Sequence, residues 1–194
     1  MDRDIDTKWR DAVLRAVLRP ENAEPLRTAA MQERLGDWTR AMTTVVVEAS
    51  EDLGWRASAK GHLLQLLPVG RSEYLALDAM AFADGQKRWR FPAAVCELEN
   101  SVDDDRVAYS LWKVLCVRAD LRVVFCYRRS PDDGAALVRK LRDEVIQAMA
   151  LEGRMALDGT TLLVVGCRDE SSTFPYGFFK WWRLDTNTGM FRLM

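Results

Sequence analysis

Two glutamates stand one residue apart in a stretch whose apolar residues predict a buried β-strand. The stretch is PAAVCELEN, in which Glu97 and Glu99 precede a run of aspartates. Because side chains alternate across a strand, both glutamates share one face, with their Cα atoms about 7 Å apart. Two carboxylates so close disfavour each other's ionisation unless a cation lies between them. The spacing therefore predicts a cation site.

A third carboxylate lies on the preceding predicted strand. Asp78, in YLALDAM, pairs across to the same end of the sheet. Carboxylates on adjacent strands offer the hard oxygen ligands that suit Mg²⁺ or Mn²⁺. A metal ion held there activates water and stabilises the charge that develops on a phosphodiester. We therefore expect Asp78, Glu97 and Glu99 to be metal ligands.

The order of these residues resembles the PD-(D/E)XK superfamily, the restriction-endonuclease-like nucleases. In that pattern an aspartate ends or bends one strand, the next strand carries (D/E)-x-K, and the following helix packs against the sheet. The resemblance covers roughly Glu73 to Tyr127, with Glu97-Leu98-Glu99 in the place of (D/E)-x-K. It implies a restriction-endonuclease-like α/β core, hydrolysis of DNA, and Mg²⁺ or Mn²⁺ as the cofactor.

The chain departs from the family pattern at Glu99, where the family usually has lysine. Some restriction endonucleases carry this E-x-E variant. The resemblance implies that Lys113, on the following predicted helix, supplies the missing positive charge, so that Asp78, Glu97, Glu99 and Lys113 are the catalytic residues. Arg106, Ser110 and Lys113 share the polar side of that helix. Whether this side faces the acidic residues or solvent is open at the level of sequence.

Three alternatives stay open beside the nuclease hypothesis. The glutamates can belong to an edge strand whose charges discourage aggregation. The missing lysine also suits a catalytically inactive, nuclease-like binding or scaffolding module in a larger defence or repair complex. A third hypothesis is a structural subunit that forms a homo-oligomer through Trp181 and Trp182, in the stretch FFKWWRL.

A basic loop joins the strand of Asp78 to the strand of Glu97. It reads DGQKRWRF, and we expect its residues Lys87, Arg88, Trp89 and Arg90 to bind nucleic acid. Basic side chains beside an aromatic ring suit phosphate contacts combined with base stacking. The loop is expected to lie beside the metal site.

Composition excludes several other classes of function. The chain has 194 residues, 48% of them hydrophobic, and a net charge of −1, which predicts one globular domain without a global positive field. The single histidine, His62, and the absence of a CxxC pair argue against zinc sites and Ser-His-Asp chemistry. The four cysteines are expected to be buried free thiols. With no apolar run of about 20 residues and a charged start, we expect a cytoplasmic protein without a membrane partner.

The elements that must position these residues follow from hydrophobic periodicity. We expect a single domain over 1–194 with a helical segment at 1–54, a nuclease-like α/β core at 60–170 and a C-terminal hairpin at 174–194. HLLQLLPVG, EYLALDAMAF and PAAVCELEN are predicted as three successive strands. LRVVFCYR and TTLLVVGC are predicted as buried strands, separated by a helix at about 131–152. The predicted fold class is a mixed central sheet flanked by helices.

Overall fold

The structure is a computed structural model that describes residues 4–32, 34–69, 74–85 and 87–194. In this part of the chain seven strands form one mixed sheet, and their spatial order follows their order in the sequence. The strands are β1 (Trp55–Ala59), β2 (Ala79–Ala83), β3 (Ala94–Leu98), β4 (Leu121–Arg128), β5 (Thr160–Cys167), β6 (Phe179–Asp185) and β7 (Met190–Leu193). The helices are α1 (Ile5–Leu18), α2 (Pro20–Met31), α3 (Leu35–Asp52), α4 (Asp104–Leu115), α5 (Pro131–Leu141) and α6 (Leu151–Met155).

The pairing of neighbouring strands changes twice across the sheet, from antiparallel to parallel and back to antiparallel. β1, β2 and β3 form an antiparallel meander, β3, β4 and β5 run parallel, and β5, β6 and β7 are antiparallel again. Each parallel pair needs a crossover, and the crossovers carry α4 and α5. The carboxyl ends of β3, β4 and β5 therefore meet at one edge of the sheet. We call this the carboxyl edge.

Both faces of the sheet are covered, so the expected mixed α/β class is confirmed. On one face α1 and α3 bury Trp9, Val13 and Met42 against the sheet. On the other face α4 and α5 bury Leu111 and Leu141. β4 and β5 are buried along almost their whole length, as their apolar runs predict. None of the helices within the described ranges has the length and hydropathy of a membrane span.

The first strand differs from the prediction. The first strand of the sheet is β1, directly after Gly54, and the described residues of HLLQLLPVG form no strand beyond one isolated bridge at His62. The hydroxyl of Tyr74 accepts hydrogen bonds from the amides of Leu66 and Leu67 at 3.1 and 3.2 Å. A side chain thus takes the place of a strand partner for this apolar segment. Gly70 and the start of EYLALDAMAF lie outside the described residues.

The N-terminal segment is helical as predicted, with different boundaries. α2 begins at Pro20, because proline is tolerated in the first turn of a helix, where its missing N–H costs no hydrogen bond. The longest of these helices, α3, begins at Leu35. The helix expected at 131–152 is also divided, into α5, a π-turn at Arg142–Ile146 and α6.

Three of the four cysteines are buried and one is not. Cys96, Cys126 and Cys167 lie in the sheet, whereas Cys116 is exposed, so the expectation of burial is wrong for that residue. Cys116 directly follows α4, whose inward face ends at Val114. Residues two apart on a helix point in nearly opposite directions, which turns the Cys116 thiol to solvent.

The C-terminal hairpin forms as predicted from β6 and β7. The Trp181 side chain is 5% exposed and packs edge-on against Phe125, at 6.2 Å between ring centroids. Trp182 is half-buried on the opposite face. Trp181 therefore offers a partner no surface in this fold, and oligomerisation itself stays a prediction.

Gly159 is required by the turn that leads into β5. Its φ of +84° is one that other residues rarely adopt, and a Cβ there would lie 2.5 Å from the carbonyl oxygens of Ala119 and Asp120. We expect Gly159→Ala to lower the free energy of unfolding by about 2 kcal/mol or more. Gly153→Ala in α6, where a Cβ meets nothing within 4 Å, is the matched control and should raise stability by about 0.5 kcal/mol. Urea denaturation measures both, and equal stability of the two variants would contradict the argument.

Candidate active site

Asp78 and Glu97 face each other across two antiparallel strands. Ala79 pairs with Cys96 in the β2–β3 register, so Asp78 and Glu97 form the next pair toward the carboxyl edge. The amide of Asp78 donates to Glu97 Oε1 at 3.4 Å, and the amide of Leu98 donates to Asp78 Oδ2 at 2.7 Å. Each carboxylate thus accepts a hydrogen bond from the backbone of the neighbouring strand, and the two lie close enough for the charge of Asp78 to act on Glu97.

Lys113 reaches the same point from α4. Its Nζ lies 2.8 Å from Glu97 Oε2 and donates to the carbonyl oxygen of Ala76, also at 2.8 Å. Ser110 Oγ, one helical turn earlier, donates to Glu97 Oε2 at 3.4 Å. The polar side of α4 therefore turns to the acidic pair at these two residues, while Arg106 is exposed.

α4 is held in place at its first turn. Asp103 caps the helix by accepting from the amide of Asp105 at 3.0 Å, and aspartate is one of the residues that helix N-caps prefer. Asp104 binds Arg128, at the end of β4, at 2.6 Å and Lys140 of α5 at 3.2 Å. These contacts fix the helix against the carboxyl edge and so fix the position of Lys113.

Glu97 titrates near neutrality. Burial raises the pKa of the Glu97 carboxyl to about 7, and the nearby charge of Asp78 adds to the rise. The ion pair with Lys113 and the Asp78 amide oppose this shift without cancelling it. The side chain of Glu97 is 6% exposed and that of Lys113 is 20% exposed. Glu97 is thus buried, and Lys113 lies between it and the surface.

The backbone before Asp78 is strained. Leu75 and Ala76 have φ values of 57° and 55°, in the left-handed region that non-glycine residues avoid. Such residues persist where the surrounding structure imposes them, and they cluster at functional sites. The contact from Lys113 to the Ala76 carbonyl helps to hold this turn.

Glu99 has no described contact with the pair. β3 ends at Leu98, and Glu99 Oε1 accepts instead from the amide of Ser101 at 2.7 Å. Among the residues that the structure describes, no three His, Cys, Asp or Glu side chains are arranged to hold a metal ion. Mg²⁺ can be bound by one or two carboxylates together with waters and substrate phosphates. Asp78 and Glu97 fit that requirement as a pair of ligands, and Glu99 does not add a third.

The basic loop lies at the wrong end of the hairpin. Asp78 precedes β2 and Glu97 comes late in β3, whereas the loop follows Ala83, about 15 Å further along the strand. The turn of an antiparallel hairpin lies opposite its open end, so the expectation that this loop adjoins the acidic pair is wrong.

Within that loop the side chains have different environments. The Arg90 guanidinium donates to the carbonyl oxygens of Ala83 and Gly85, both at 3.3 Å, and lies over the Phe82 ring. Arg90 therefore has a structural role in the loop. The remaining residues of the predicted patch are exposed; they are Lys87, Arg88 and Trp89. Their binding to nucleic acid stays a prediction.

Two exposed aromatic side chains beside Lys113 escaped the sequence analysis. Tyr109 and Trp112, 60% and 55% exposed, stack with ring centroids 5.9 Å apart on the outer side of α4. Lys113 Nζ lies 5.8 Å from the centroid of the Tyr109 ring. The signal available in the sequence was two aromatics three residues apart on one helix, the second adjoining the lysine.

No model of a known protein family matches the chain, and comparisons with curated proteins and with solved structures also gave no match. Fold and site alone therefore define the class of molecule. It is a mixed α/β domain with an aspartate, a glutamate and a lysine gathered at the carboxyl edge of the sheet.

Proposed function

We propose that the chain is a Mg²⁺- or Mn²⁺-dependent nuclease with a restriction-endonuclease-like core, acting on DNA. The observation that carries this proposal is the convergence of Asp78, Glu97 and Lys113 from three different elements. The order of elements supports it, because α3, β1, β2, β3, α4 and β4 follow each other as in the PD-(D/E)XK pattern. Lys113 then stands for the lysine that Glu99 replaces.

Asp78 and Glu97 would hold the metal ion, which would supply activation of water and neutralisation of charge on the scissile phosphate. Lys113 uses two of its three N–H groups on Glu97 and Ala76. The third N–H stabilises the negative charge that grows on a phosphate oxygen in the transition state. The hydrogen bonds around Glu97 fix its carboxylate, so little reorganisation is needed during the reaction.

The stacked pair of Tyr109 and Trp112 favours nucleic acid as the substrate. Exposed aromatic rings bind bases by stacking, which suits nucleotides that are unpaired. The pair adjoins Lys113, so a base on this platform places its phosphate near the acidic group. Single-stranded segments and frayed ends of DNA are therefore the substrates that fit best.

Removing the aromatic platform should weaken DNA binding. We expect the double variant Tyr109→Ala/Trp112→Ala to bind a single-stranded oligonucleotide about 10- to 100-fold more weakly, because each stacked base contributes about 1–3 kcal/mol. Fluorescence anisotropy in the presence of Ca²⁺ measures the affinity. Trp89→Ala, at the other end of the hairpin, is the matched control. A larger loss for Trp89→Ala would instead favour the basic loop as the DNA site.

The direct test of hydrolysis uses purified protein with plasmid, single-stranded DNA and RNA in the presence of Mn²⁺. We expect DNA cleavage by the wild type and its loss in Glu97→Ala, because that substitution removes one of two metal ligands. Cleavage that persists in Glu97→Ala would contradict the proposal. Glu99→Ala serves as the control on the same strand and should retain most of the activity, since Glu99 bonds to Ser101 instead.

A catalytically inactive binding module is the second candidate. It is favoured by the ion pair itself, because the Lys113 ammonium already supplies a cation to Glu97 at 2.8 Å. Isothermal titration with Mg²⁺ and Mn²⁺ distinguishes the two candidates. A chain that binds neither ion cannot perform the proposed reaction, and a role within a larger defence or repair complex would then be preferred.

A further inference from the structure

α4 carries a second row of side chains, on the side that faces away from the sheet. The inward side of the helix buries Val107, Leu111 and Val114. The outward side presents exposed residues at a spacing of four, three and four; they are Asp105, Tyr109, Trp112 and Cys116. This is the spacing at which one helix packs against another in a coiled coil. We call these four residues the outer stripe.

The centre of the outer stripe is aromatic and open to solvent. Tyr109 and Trp112 are 60% and 55% exposed, and their rings stack on each other with centroids 5.9 Å apart. An aromatic side chain covers about 150–250 Å² when it is buried, so the two rings leave roughly 200 Å² of surface uncovered. Tyrosine and tryptophan are enriched in the cores of protein–protein interfaces, where they contribute most of the binding energy. The centre of the stripe therefore has the composition of an interface core.

The charges at the two ends of α4 have opposite signs. Asp103 and Asp105 are exposed at the start of the helix, and Arg118 is exposed just beyond its end. Asp104, between the two aspartates, is already paired with Arg128 at 2.6 Å. A second copy of α4 laid antiparallel on the first brings each acidic end beside a basic end. A parallel arrangement instead places the aspartates of both copies side by side, which costs free energy. The charges thus favour a second copy as the partner, in the antiparallel direction.

The antiparallel arrangement has one register that places ring on ring. With a two-fold axis between the two rings, Tyr109 of one copy faces Trp112 of the other. The same register sets Asp103 opposite Arg118 of the second copy, and Asp105 opposite its Cys116, because all these pairs are centred on the same point of the chain. An apolar centre with charged groups at its rim is the usual anatomy of a protein–protein interface.

We propose that the outer stripe is a dimer contact, at which two copies of this chain pack through antiparallel α4 helices. The contact is small, because α4 spans only Asp104–Leu115, so we expect a dissociation constant of about 10–100 µM. The proposed function places a DNA base on the same two rings, so a second copy and single-stranded DNA exclude each other at this surface. Dimerisation itself depends neither on a metal ion nor on hydrolysis, and it is measured without DNA.

Analytical ultracentrifugation at protein concentrations from about 1 to 500 µM tests the proposal, with monomer expected at the low end and dimer at the high end. Tyr109→Ala/Trp112→Ala should weaken the dimer about tenfold or more, since aromatic residues carry much of the energy of an interface. Trp89→Ala, an exposed ring of the basic loop, is the matched control and should dimerise like the wild type. A chain that stays monomeric over the whole range overturns the proposal, as does a dimer that the double variant leaves intact.

A disulfide across the contact locates it and reports its direction. The thiol introduced by Asp105→Cys should face Cys116 of the second copy, so oxidation with copper phenanthroline in air should give a covalent dimer. Within one chain the two thiols lie about 16 Å apart along the helix, whereas a disulfide needs Cα atoms within about 7 Å. Asp132→Cys, at an exposed aspartate in the first turn of α5, is the matched control and should cross-link much more slowly.

Two results of the cross-linking experiment would contradict the proposed contact. Equal rates for Asp105→Cys and Asp132→Cys would mean that the thiols meet only by random collision. A wild type that cross-links as fast as Asp105→Cys would join Cys116 to Cys116, which requires parallel helices. Either result overturns the antiparallel dimer.

Discussion

Replacing Lys113 by methionine is expected to lower the rate of Mn²⁺-dependent DNA cleavage about 100- to 1,000-fold. Removing one donor that stabilises a developing oxyanion costs that much in other enzymes. The substitution has a second effect, because the buried Glu97 loses the cation 2.8 Å away and its pKa rises further. Fewer molecules then carry the charged carboxylate that a metal ion needs. Single-turnover cleavage of a labelled oligonucleotide measures the rate.

A loss of activity must be separated from a loss of folding. Lys113→Gln keeps a hydrogen-bond donor toward Glu97 and Ala76 without the charge, so it should fold like the wild type and still cleave slowly. Lys87→Met removes an exposed lysine at the other end of the β2–β3 hairpin and should leave the single-turnover rate at saturating protein unchanged, even if the affinity for DNA falls. Cleavage by Lys113→Met within about threefold of the wild type would show that the lysine has no part in the reaction.

The helices and strands that follow a single hydrophobic pattern were predictable from the sequence. The apolar runs of β4 and β5 and the 3.6-residue period of α4 leave one placement each for their buried faces. β1 was missed because WRASA carries little apolar signal, while the neighbouring HLLQLL carries more and forms no strand. The two segments differ in their hydrogen-bond partners. β1 pairs with β2, whereas an amide of HLLQLL donates to the hydroxyl of Tyr74.

The candidate site was likewise predictable from the sequence only in part. Alternation along β3 places Glu97 on the face of Val95, and the strand pairing sets it opposite Asp78. Glu99 would share the face of Glu97 only if the strand continued through Glu99, but β3 ends at Leu98. A helical wheel shows which residues form the polar side of α4, but it does not show whether that side faces the sheet or solvent. This orientation depends on contacts from Asp104 to elements far along the chain. Long-range contacts of this kind leave no local pattern in the sequence.

Glu97 is expected to make the protein less stable as the pH rises. Its pKa in the folded state is raised from 4.5 to about 7. Between these values the folded chain keeps a proton that the unfolded chain has released, so raising the pH favours unfolding. The stabilisation is fully present below about pH 4.5 and is lost by about pH 7. A shift of this size corresponds to about 3 kcal/mol.

Comparison with Glu97→Gln isolates this effect from the other titrating groups. Without Mg²⁺ or Mn²⁺, the free energy of unfolding of the wild type relative to that of Glu97→Gln should fall by about 3 kcal/mol from pH 4 to pH 8. Urea denaturation in EDTA at several pH values gives both energies. A difference that rises with pH would mean that Lys113 outweighs burial and holds the Glu97 pKa below its ordinary value.

The same urea denaturation series, repeated with a divalent metal ion, tests whether Glu97 binds metal. A divalent ion binds the charged form of Glu97, so its contribution to stability grows as the pH rises through about 7. Saturating Mn²⁺ should therefore reduce or reverse the fall in the wild type and leave Glu97→Gln nearly unaffected. If Mn²⁺ leaves the wild-type profile unchanged, Glu97 titrates as a buried carboxyl without binding metal, and the inactive binding module becomes the preferred function.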